Sequence, residues 1–208
     1  MNYRYIAIEG NIGSGKTTLA HQLAAHYNAQ LVLEAFQDNP FLEKFYIEPE
    51  RYAFPLELSF LADRYQQLKN TLPQQDLFAQ GKVSDYIFPK TKLFARNNLN
   101  DTEFELFARI ADMLKLELAK PDLLIYLHCA VPKLQENIKK RGRSFEQNIQ
   151  DDYLENLDAA YQTFLKTEQI RTLIVDVNQV DLREPFYFQQ LLQVLDESAD
   201  FQRKTLVF

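Results

Sequence analysis

The sequence predicts an α/β protein in which a parallel sheet carries helices on both of its faces. Five short apolar segments have the length and composition of strands, and they lie at 4–9, 30–34, 82–85, 123–128 and 172–176. Eight segments with helical periodicity lie between and around them, at 16–26, 39–46, 52–71, 88–97, 101–118, 132–141, 151–168 and 185–196. Because strands alternate with helices along the chain, parallel strands joined by helical crossovers are favoured.

The composition narrows the class of protein. No repeat, low-complexity tract or linker interrupts the 208 residues, so we expect one domain spanning 1–208. With 46% hydrophobic and 25% charged residues, the chain has the composition of a globular protein. The net charge of −6 and the lack of a basic run argue against a nucleic-acid partner.

Three further observations indicate the cellular compartment. The chain begins directly with a strand, and none of its apolar runs approaches the length of a membrane span. The single cysteine, Cys129, excludes an internal disulfide and follows an apolar strand, so we expect a buried thiol. These features predict a cytoplasmic protein with no membrane partner.

The loop after the first strand has the pattern of a phosphate-binding loop. The residues GNIGSGKT match G-x-x-x-x-G-K-[ST], and they stand between a strand and a helix as that loop requires. Backbone N–H groups at the helix N-terminus would surround the phosphates, with Lys16 on the β- and γ-phosphates and Thr17 on Mg²⁺. A glycine-rich turn with a chance Lys-Thr pair is the alternative. The predicted nucleotide-binding residues are Gly10, Asn11, Ile12, Gly13, Ser14, Gly15, Lys16, Thr17 and Thr18.

Acidic residues end three of the other strands. Parallel sheets bind ligands beyond the carboxyl ends of their strands, which directs attention to Glu34, Asp85 and the turn after Asp176. Glu34 would accept the proton of an acceptor hydroxyl beside the γ-phosphate, unless it is simply solvated. Asp85 would hold Mg²⁺ directly or through water, unless it caps the next helix.

A basic segment follows the helix predicted at 132–141. Arg141-Gly142-Arg143 would form a lid at about 141–150, placing positive charge where the transition state of phosphoryl transfer is negative. A solvated basic helix end is the alternative. Together with the phosphate loop and Glu34, the two arginines suggest a small-molecule kinase that uses ATP.

These segments together resemble the deoxynucleoside kinase family, which contains deoxycytidine, deoxyadenosine and deoxyguanosine kinases. The resemblance covers nearly the whole chain and includes the phosphate loop and the segments NPFLEKFY, PERYAFPLELSFLADRYQQL, SDYIFPKTKLFA, RGRSFEQNI and DVNQVD. It implies the P-loop kinase fold with a five-stranded parallel sheet and a homodimer. It also implies transfer of the γ-phosphoryl group of a triphosphate to the 5′-hydroxyl of a deoxyribonucleoside.

The same resemblance assigns roles to residues by position. Glu34 corresponds to the general base, and Tyr46 with Glu146 to the pair that binds the sugar 3′-hydroxyl. Tyr46 would also crowd a 2′-hydroxyl. Arg64 corresponds to an arginine that reaches the base, and Phe94 to the aromatic residue that stacks on it.

The nucleotide donor site departs from the family. Asn137 stands where relatives often carry an arginine that packs on the donor adenine. Adenine contacts are therefore expected from the backbone at 176–181, which includes Asp176. ATP remains the expected donor.

Three other departures concern the acceptor. Relatives that act on cytosine or adenine nucleosides usually carry Asp/Glu-Arg-Ser/Thr, a Gln and an Asp where this chain has Ser84-Asp85-Tyr86, Glu57 and Lys90. The missing arginine leaves open which group supports Glu34. Asp85 is either the metal-associated acid or the residue that replaces that arginine.

The substitutions favour a guanine base. A carboxylate at Glu57 can accept from N1–H and N2–H₂ of guanine, while Arg64 or Lys90 supplies a cation for O6 and N7. The set resembles bacterial deoxyguanosine kinases, with deoxyadenosine as the expected second substrate. Exposed helix charges at Glu57 and Lys90 are the alternative.

Two other functions compete with this prediction. A nucleoside monophosphate kinase would need a basic site for the acceptor phosphate, and no arginine cluster lies near Tyr46 or Phe94 in the sequence. A regulatory nucleotide-binding module such as a switch GTPase would carry N-K-x-D where this chain reads DVNQVD. The final segment, DFQRKTLVF, is compatible with an edge strand or an irregular tail.

Overall fold

Six parallel strands form the sheet in the computed structural model, which describes residues 2–36, 39–74, 76–197 and 201–208. The order across the sheet is β2-β3-β1-β4-β5-β6, and every neighbouring pair is parallel. The strands of the described residues are β1 Tyr5–Gly10, β2 Gln30–Val32, β3 Lys82–Ser84, β4 Leu123–His128, β5 Thr172–Asp176 and β6 Arg203–Leu206. The α/β class and the parallel sheet are confirmed.

Helices connect the strands and cover both faces. They are α1 Lys16–Tyr27, α2 Leu42–Ile47, α3 Pro49–Thr71, α4 Lys90–Asn98, α5 Asp101–Lys115, α6 Val131–Arg141, α7 Asp151–Thr167 and α8 Pro185–Asp196. The predicted boundaries differ by a few residues. For example, α3 begins at Pro49 rather than at 52, since proline is favoured in the first turn of a helix.

The central strand β1 is buried along its whole length and divides the core in two. Ile6 and Ile8 belong to one cluster with residues of α1 and α8, such as Leu19 and Leu191. On the opposite face, Tyr5 belongs to a second cluster with residues of α7. This alternation follows from the two-residue period of a strand. A third cluster, formed mainly by α3, α4 and α5, extends beyond the sheet and supports one wall of the site described below.

The strand count predicted from the sequence was one too low. Residues Arg203–Leu206 add a parallel strand beside β5, so the sheet has six strands rather than five. The segment RKTL alternates between exposed and half-buried residues and has no apolar run, which is common for an edge strand. Residue 200, the first of the tail segment considered above, lies outside the described residues.

The sheet order places β1 between β3 and β4. From β1 the chain continues to β2 on one side of the sheet, and β4 lies on the other side, so the loop after β1 stands where the strand order reverses. Ligands of open parallel sheets bind at such a point, beyond the carboxyl ends of the strands. No helix in the described ranges combines the length and the apolar character that crossing a membrane requires.

Candidate active site

The loop between β1 and α1 is shaped by glycines that no other residue could replace without strain. Gly13 has φ +84°, and a Cβ built on it would lie 2.9 Å from the Leu134 carbonyl oxygen and 3.0 Å from Ile138. The loop therefore packs directly against α6. Its backbone is also held from outside, since Asn137 Nδ2 donates to the Gly13 carbonyl at 2.9 Å. Asn137, which stands where relatives often have an arginine, thus contacts the loop itself.

Lys16, the first residue of α1, turns back over this loop. Its Nζ donates to the carbonyl oxygens of Gly10 and Asn11, both at 3.0 Å. Burial and repulsion from Lys90 lower the pKa of Lys16 to about 8, against the attraction of nearby carboxylates. The charge of Lys16 is only partly offset by nearby carboxylates, and its Nζ already lies over the loop. A cation in this position is suited to binding phosphate oxygens.

Asp85, which follows β3, forms hydrogen bonds with one residue that follows β1 and with one that follows β2. Its Oδ2 accepts from the Thr17 hydroxyl at 2.6 Å, and its Oδ1 accepts from the backbone N–H of Glu34 at 2.8 Å. Asp85 is buried. Its side chain therefore lies next to the Thr17 hydroxyl, which is the position that the metal interpretation of Asp85 requires.

The carboxylate of Glu34 is held by two cations from different helices. Arg64 of α3 lies 2.6 Å from Oε1, and Lys90 of α4 lies 2.6 Å from Oε2. Burial opposes ionisation of Glu34, but Lys90 and Arg64 outweigh it and lower the pKa of this carboxyl to about 2. The sequence left open which group supports Glu34, and the structure places Lys90 and Arg64 there.

Two helix faces run along the cleft from this cluster. On α3 the face carries Arg64, Phe60 and Glu57, and on α4 it carries Lys90, Phe94 and Asn98. Residues spaced by three, four or seven positions share one face of a helix, which explains both sets. The cations stand over the rings, with Arg64 4.6 Å from the Phe60 centroid and Lys90 5.2 Å from the Phe94 centroid.

Glu57 lies at the far end of these faces, and its side chain is almost completely buried. Its Oε1 accepts from Asn98 Nδ2 at 2.6 Å, whereas its Oε2 has no hydrogen-bond partner among the described residues. Burial raises the pKa of Glu57 to about 7, although Arg64 and the hydrogen bond from Asn98 act in the opposite direction. Lys90, one of two cations considered for the base, instead contacts Glu34 about two helical turns away.

The segment after α6 closes the cleft from above. Gly142 ends α6 in a left-handed conformation, and a short 3-10 turn, Ser144–Glu146, precedes α7. Arg141 and Arg143 both pair with the buried carboxylate of Glu146. The Arg143 guanidinium also lies 4.2 Å from the centroid of Phe36, on the other side of the cleft. The segment at 141–150 thus spans the cleft.

Tyr46, on α2, stands beside this segment. Its ring stacks on Phe145 with centroids 5.9 Å apart. Burial raises the pKa of the Tyr46 hydroxyl well above its ordinary value, and the neighbouring Tyr153 and Glu146 act in the same direction. Tyr46 and Glu146 therefore both line the cleft, and their role at the sugar 3′-hydroxyl stays a prediction.

Most of the predicted site residues line this cleft, which is open to solvent. The predicted residues that line it are Ile12, Lys16, Thr17, Glu34, Tyr46, Glu57, Arg64, Asp85, Lys90, Phe94, Arg141, Arg143 and Glu146. Asp176 lies elsewhere. Its Oδ1 accepts from the backbone and side-chain N–H groups of Asn178, both at 2.9 Å, so a role for Asp176 at the donor stays a prediction.

Sequence reasoning missed two polar residues of this region. Glu9, in the buried strand β1, accepts from the Ile87 backbone N–H at 3.0 Å and from the Tyr161 hydroxyl at 2.8 Å. A carboxylate among apolar strand residues just before the phosphate loop was the available signal. Asn98, the partner of Glu57, lies four residues after Phe94 and could have been found from that spacing.

Comparison with known proteins gives concordant matches. The sequence model described as deoxynucleoside kinase matches residues 6–195. A deoxyguanosine kinase of Bacillus subtilis (strain 168) is 39% identical over 165 residues, which are 79% of this chain and 80% of that protein. A deoxyadenosine kinase of Dictyostelium discoideum is 31% identical over 205 residues, 96% of this chain and 82% of that protein.

A solved structure agrees with these matches. The structure of deoxyadenosine kinase from M. mycoides with bound dCTP superposes with a TM-score of 0.79 at 25% identity, covering 92% of this chain and 98% of that one. All three named relatives are deoxynucleoside kinases, one named for deoxyguanosine and two for deoxyadenosine.

Proposed function

Because the chain belongs to the deoxynucleoside kinase family, we propose that it transfers the γ-phosphoryl group of ATP to the 5′-hydroxyl of a purine deoxyribonucleoside, with deoxyguanosine preferred over deoxyadenosine. The base preference rests on one observation: the buried Oε2 of Glu57 lacks a hydrogen-bond partner among the described residues. A buried acceptor without a partner costs about 1–3 kcal/mol, which a donor on the ligand would recover.

The triphosphate would lie over the loop that starts at Gly10. Backbone N–H groups of the loop and the N-terminus of α1 favour phosphate oxygens, and Lys16 needs only to exchange two carbonyl oxygens for them. Thr17 and Asp85 offer the hard oxygen ligands that Mg²⁺ prefers, so the residues fit this metal. Bound there, Mg²⁺ would neutralise charge on the β- and γ-phosphates.

Glu34 would receive the 5′-hydroxyl of the nucleoside. With a pKa of about 2 it is ionised at neutral pH, so it is available to accept a hydrogen bond from the hydroxyl. A carboxylate of such low pKa is a weak base. Since the transition state of phosphoryl transfer is loose, orientation of the hydroxyl is the larger part of the role, and the proton moves to Glu34 as the P–O bond forms.

The remaining residues would position the sugar and the transferring group. Tyr46 and Glu146 line the cleft where the 3′-hydroxyl is expected. Arg141 and Arg143 lie on the same side and would turn from Glu146 toward the phosphates, where they offset negative charge in the transition state.

Guanine fits the polar groups at the far end of the cleft better than adenine does. Ionised Glu57 is an acceptor only, and guanine presents N1–H and N2–H₂ on one edge. Arg64 holds Glu34 but is also close enough to Glu57 to lower its pKa, so it would supply a cation for O6 or N7 while keeping its ion pair with Glu34. Adenine presents an acceptor at N1, which a carboxylate repels. Deoxyadenosine is retained as the second substrate because a relative with 31% identity is a deoxyadenosine kinase.

We further infer one domain over 1–208 that works as a homodimer. A groove between α4, α5 and α7 has an apolar floor that includes Leu93, Phe104 and Phe164. Such a surface suits burial against a second copy. Measurement of the molar mass in solution tests this part of the proposal, and a monomer at micromolar concentration contradicts it.

The proposed function is tested by measuring kcat/KM for the four natural deoxynucleosides with ATP and Mg²⁺. We expect deoxyguanosine to be the best substrate and deoxyadenosine the second. A clear preference for deoxycytidine or thymidine would overturn the base assignment. Activity on dGMP but not on deoxyguanosine would indicate a monophosphate kinase, and GTP hydrolysis without acceptor phosphorylation would indicate a regulatory module.

A further inference from the structure

The polar group paired with Glu57 has a free acceptor of its own. Asn98 donates through Nδ2 to Glu57 Oε1 at 2.6 Å. The Oδ1 of Asn98 is buried and has no hydrogen-bond partner among the described residues. The amide nitrogen is thus engaged while the amide oxygen is not.

The charge on Glu57 determines the orientation of this amide. An ionised carboxylate only accepts, so while Glu57 is ionised the nitrogen of Asn98 must face it and the oxygen must point elsewhere. Two unpartnered buried acceptors, Glu57 Oε2 and Asn98 Oδ1, therefore lie on two adjoining residues that both line the cleft.

Asn98 lies where the base is expected. Lys90, Phe94 and Asn98 follow one another at intervals of four residues on one face of α4, about 12 Å from first to last. Lys90 contacts Glu34 at the end where the 5′-hydroxyl belongs, and Asn98 contacts Glu57 at the other end. Phe94, between them, is in place to stack on the ring.

We propose that Asn98 determines specificity by accepting a hydrogen bond from the 2-amino group of guanine through Oδ1, beside the carboxylate of Glu57. The proposal rests on the proposed deoxyguanosine kinase function. Guanine is the one common base whose pairing edge places N–H and NH₂ donors side by side, three hydrogens in all. Glu57 Oε2 would take one of them from N1 or N2, and Asn98 Oδ1 would take another from the amino group.

Deoxyinosine is the appropriate probe, because it keeps O6 and N1–H of deoxyguanosine and lacks only the 2-amino group. The experiment compares kcat/KM for deoxyguanosine and deoxyinosine in the unmodified enzyme, in Asn98→Ala and in the control Asn97→Ala. Asn97 is adjacent on α4, and it does not line the cleft although its side chain lies near Tyr153.

We expect the unmodified enzyme and Asn97→Ala to prefer deoxyguanosine over deoxyinosine by roughly tenfold, and Asn98→Ala to lose most of that preference. An equal loss of activity toward both substrates would reflect a disturbed Glu57. The ratio of kcat/KM for deoxyguanosine to that for deoxyinosine is therefore the decisive readout. Asn98→Ser, which keeps an acceptor and a donor, serves as a milder variant should Asn98→Ala fold poorly, and we expect an intermediate ratio.

The outcomes separate this inference from the proposed function. An enzyme that prefers deoxyguanosine to deoxyadenosine, but whose deoxyguanosine to deoxyinosine ratio is unchanged in Asn98→Ala and Asn98→Ser, overturns the role of Asn98 alone. A deoxyguanosine to deoxyinosine ratio near one in the unmodified enzyme also overturns the role of Asn98, because the enzyme then does not recognise the 2-amino group. An enzyme without preference for deoxyguanosine over the other natural nucleosides overturns the proposed function itself.

Discussion

The Nζ of Lys90 lies 2.6 Å from Oε2 of Glu34, in a pair whose side chains are 6% and 13% exposed. The two residues are 56 positions apart and come from different elements. Arg64 contacts the other oxygen of the same carboxylate. Glu34 is thus held from both sides, and its position relative to Lys16 and Thr17 is set by α3 and α4 rather than by its own loop.

Replacing Lys90 by methionine tests whether this pair serves catalysis. We expect Lys90→Met to lower kcat about 10²-fold with little change in KM, because Glu34 would lose the group that orients it toward the 5′-hydroxyl. Lys69→Met is the control, since Lys69 pairs with Glu117 on the surface. Steady-state kinetics on both variants decide the matter, and a rise in KM alone would assign Lys90 to substrate binding.

Glu34→Gln should reduce both activity and stability. The change leaves the buried cations of Arg64 and Lys90 without a negative partner, so we expect a loss of about 3 kcal/mol in the free energy of unfolding. The pKa of Glu34 is lowered, so its stabilisation is present above pH 4.5 and is lost as the pH falls toward 2. Urea titrations at pH 7 and pH 3 measure this. A variant as stable as the parent would mean that the cations find other partners.

Arg143 should act on the transition state. We expect Arg143→Ala to lower kcat by about 10²- to 10³-fold, since it removes a cation expected at the transferring phosphoryl group. Lys139→Ala, an exposed cation on the same helix end, is the control. If kcat is retained and only the KM for ATP rises, Arg143 binds the donor but does not stabilise the transition state.

The fold and the location of the cleft were predictable from the sequence because their signals are local. Apolar segments such as β4, and the glycine pattern after β1, need no knowledge of the rest of the chain. The edge strand β6 was not predicted as a sixth strand because RKTL has no apolar run, and its pairing with β5 is a tertiary event. The helices were located correctly, with differences only at their ends.

Side-chain pairing within the cleft was harder to predict from the sequence. Position in the family suggested Lys90 for the base, yet it contacts Glu34, because the tertiary structure brings the start of α4 next to the segment after β2. The spacing of Asn98 from Phe94 was its only signal in the sequence, because a polar residue at the end of a helix is usually solvated. The pairing of Arg141 and Arg143 with Glu146 likewise depends on the turn that brings them together.

The purine preference should depend on pH through Glu57. With a pKa of about 7, this carboxyl is ionised above neutral pH and then accepts hydrogen bonds from guanine. Below neutral pH the protonated carboxyl can donate a hydrogen bond to N1 of adenine, as a glutamine would. We expect the ratio of kcat/KM for deoxyguanosine to that for deoxyadenosine to rise between pH 6 and pH 8, about one unit either side of that pKa. The charged and polar groups that act on the Glu57 carboxyl, or on which it acts, are Arg64, Glu34, Lys90, Asn98, Tyr46 and Tyr153.

Glu57→Gln provides the matching control. This variant cannot ionise, so its purine ratio should favour deoxyadenosine and stay constant with pH. Because the pKa of Glu57 is raised, its favourable contribution to stability is complete below pH 4.5 and is lost as the pH rises through 7. Glu57→Gln should therefore gain stability relative to the parent at pH 8. A pH-independent ratio in the parent would remove Glu57 from the base site.

Two glycines with similar backbone angles allow strain and steric overlap to be separated. Gly13 and Gly142 have φ of +84° and +73°, but a Cβ on Gly13 would meet the Leu134 carbonyl at 2.9 Å, whereas a Cβ on Gly142 would meet nothing within 4 Å. We expect Gly142→Ala to cost about 1 kcal/mol of stability from the left-handed conformation alone. Gly13→Ala should cost more, about 2–3 kcal/mol, and should weaken ATP binding because the loop must move away from α6. Thermal unfolding and ATP titration of both variants test this, and equal losses would mean that the loop absorbs the overlap without displacing its phosphate-binding N–H groups.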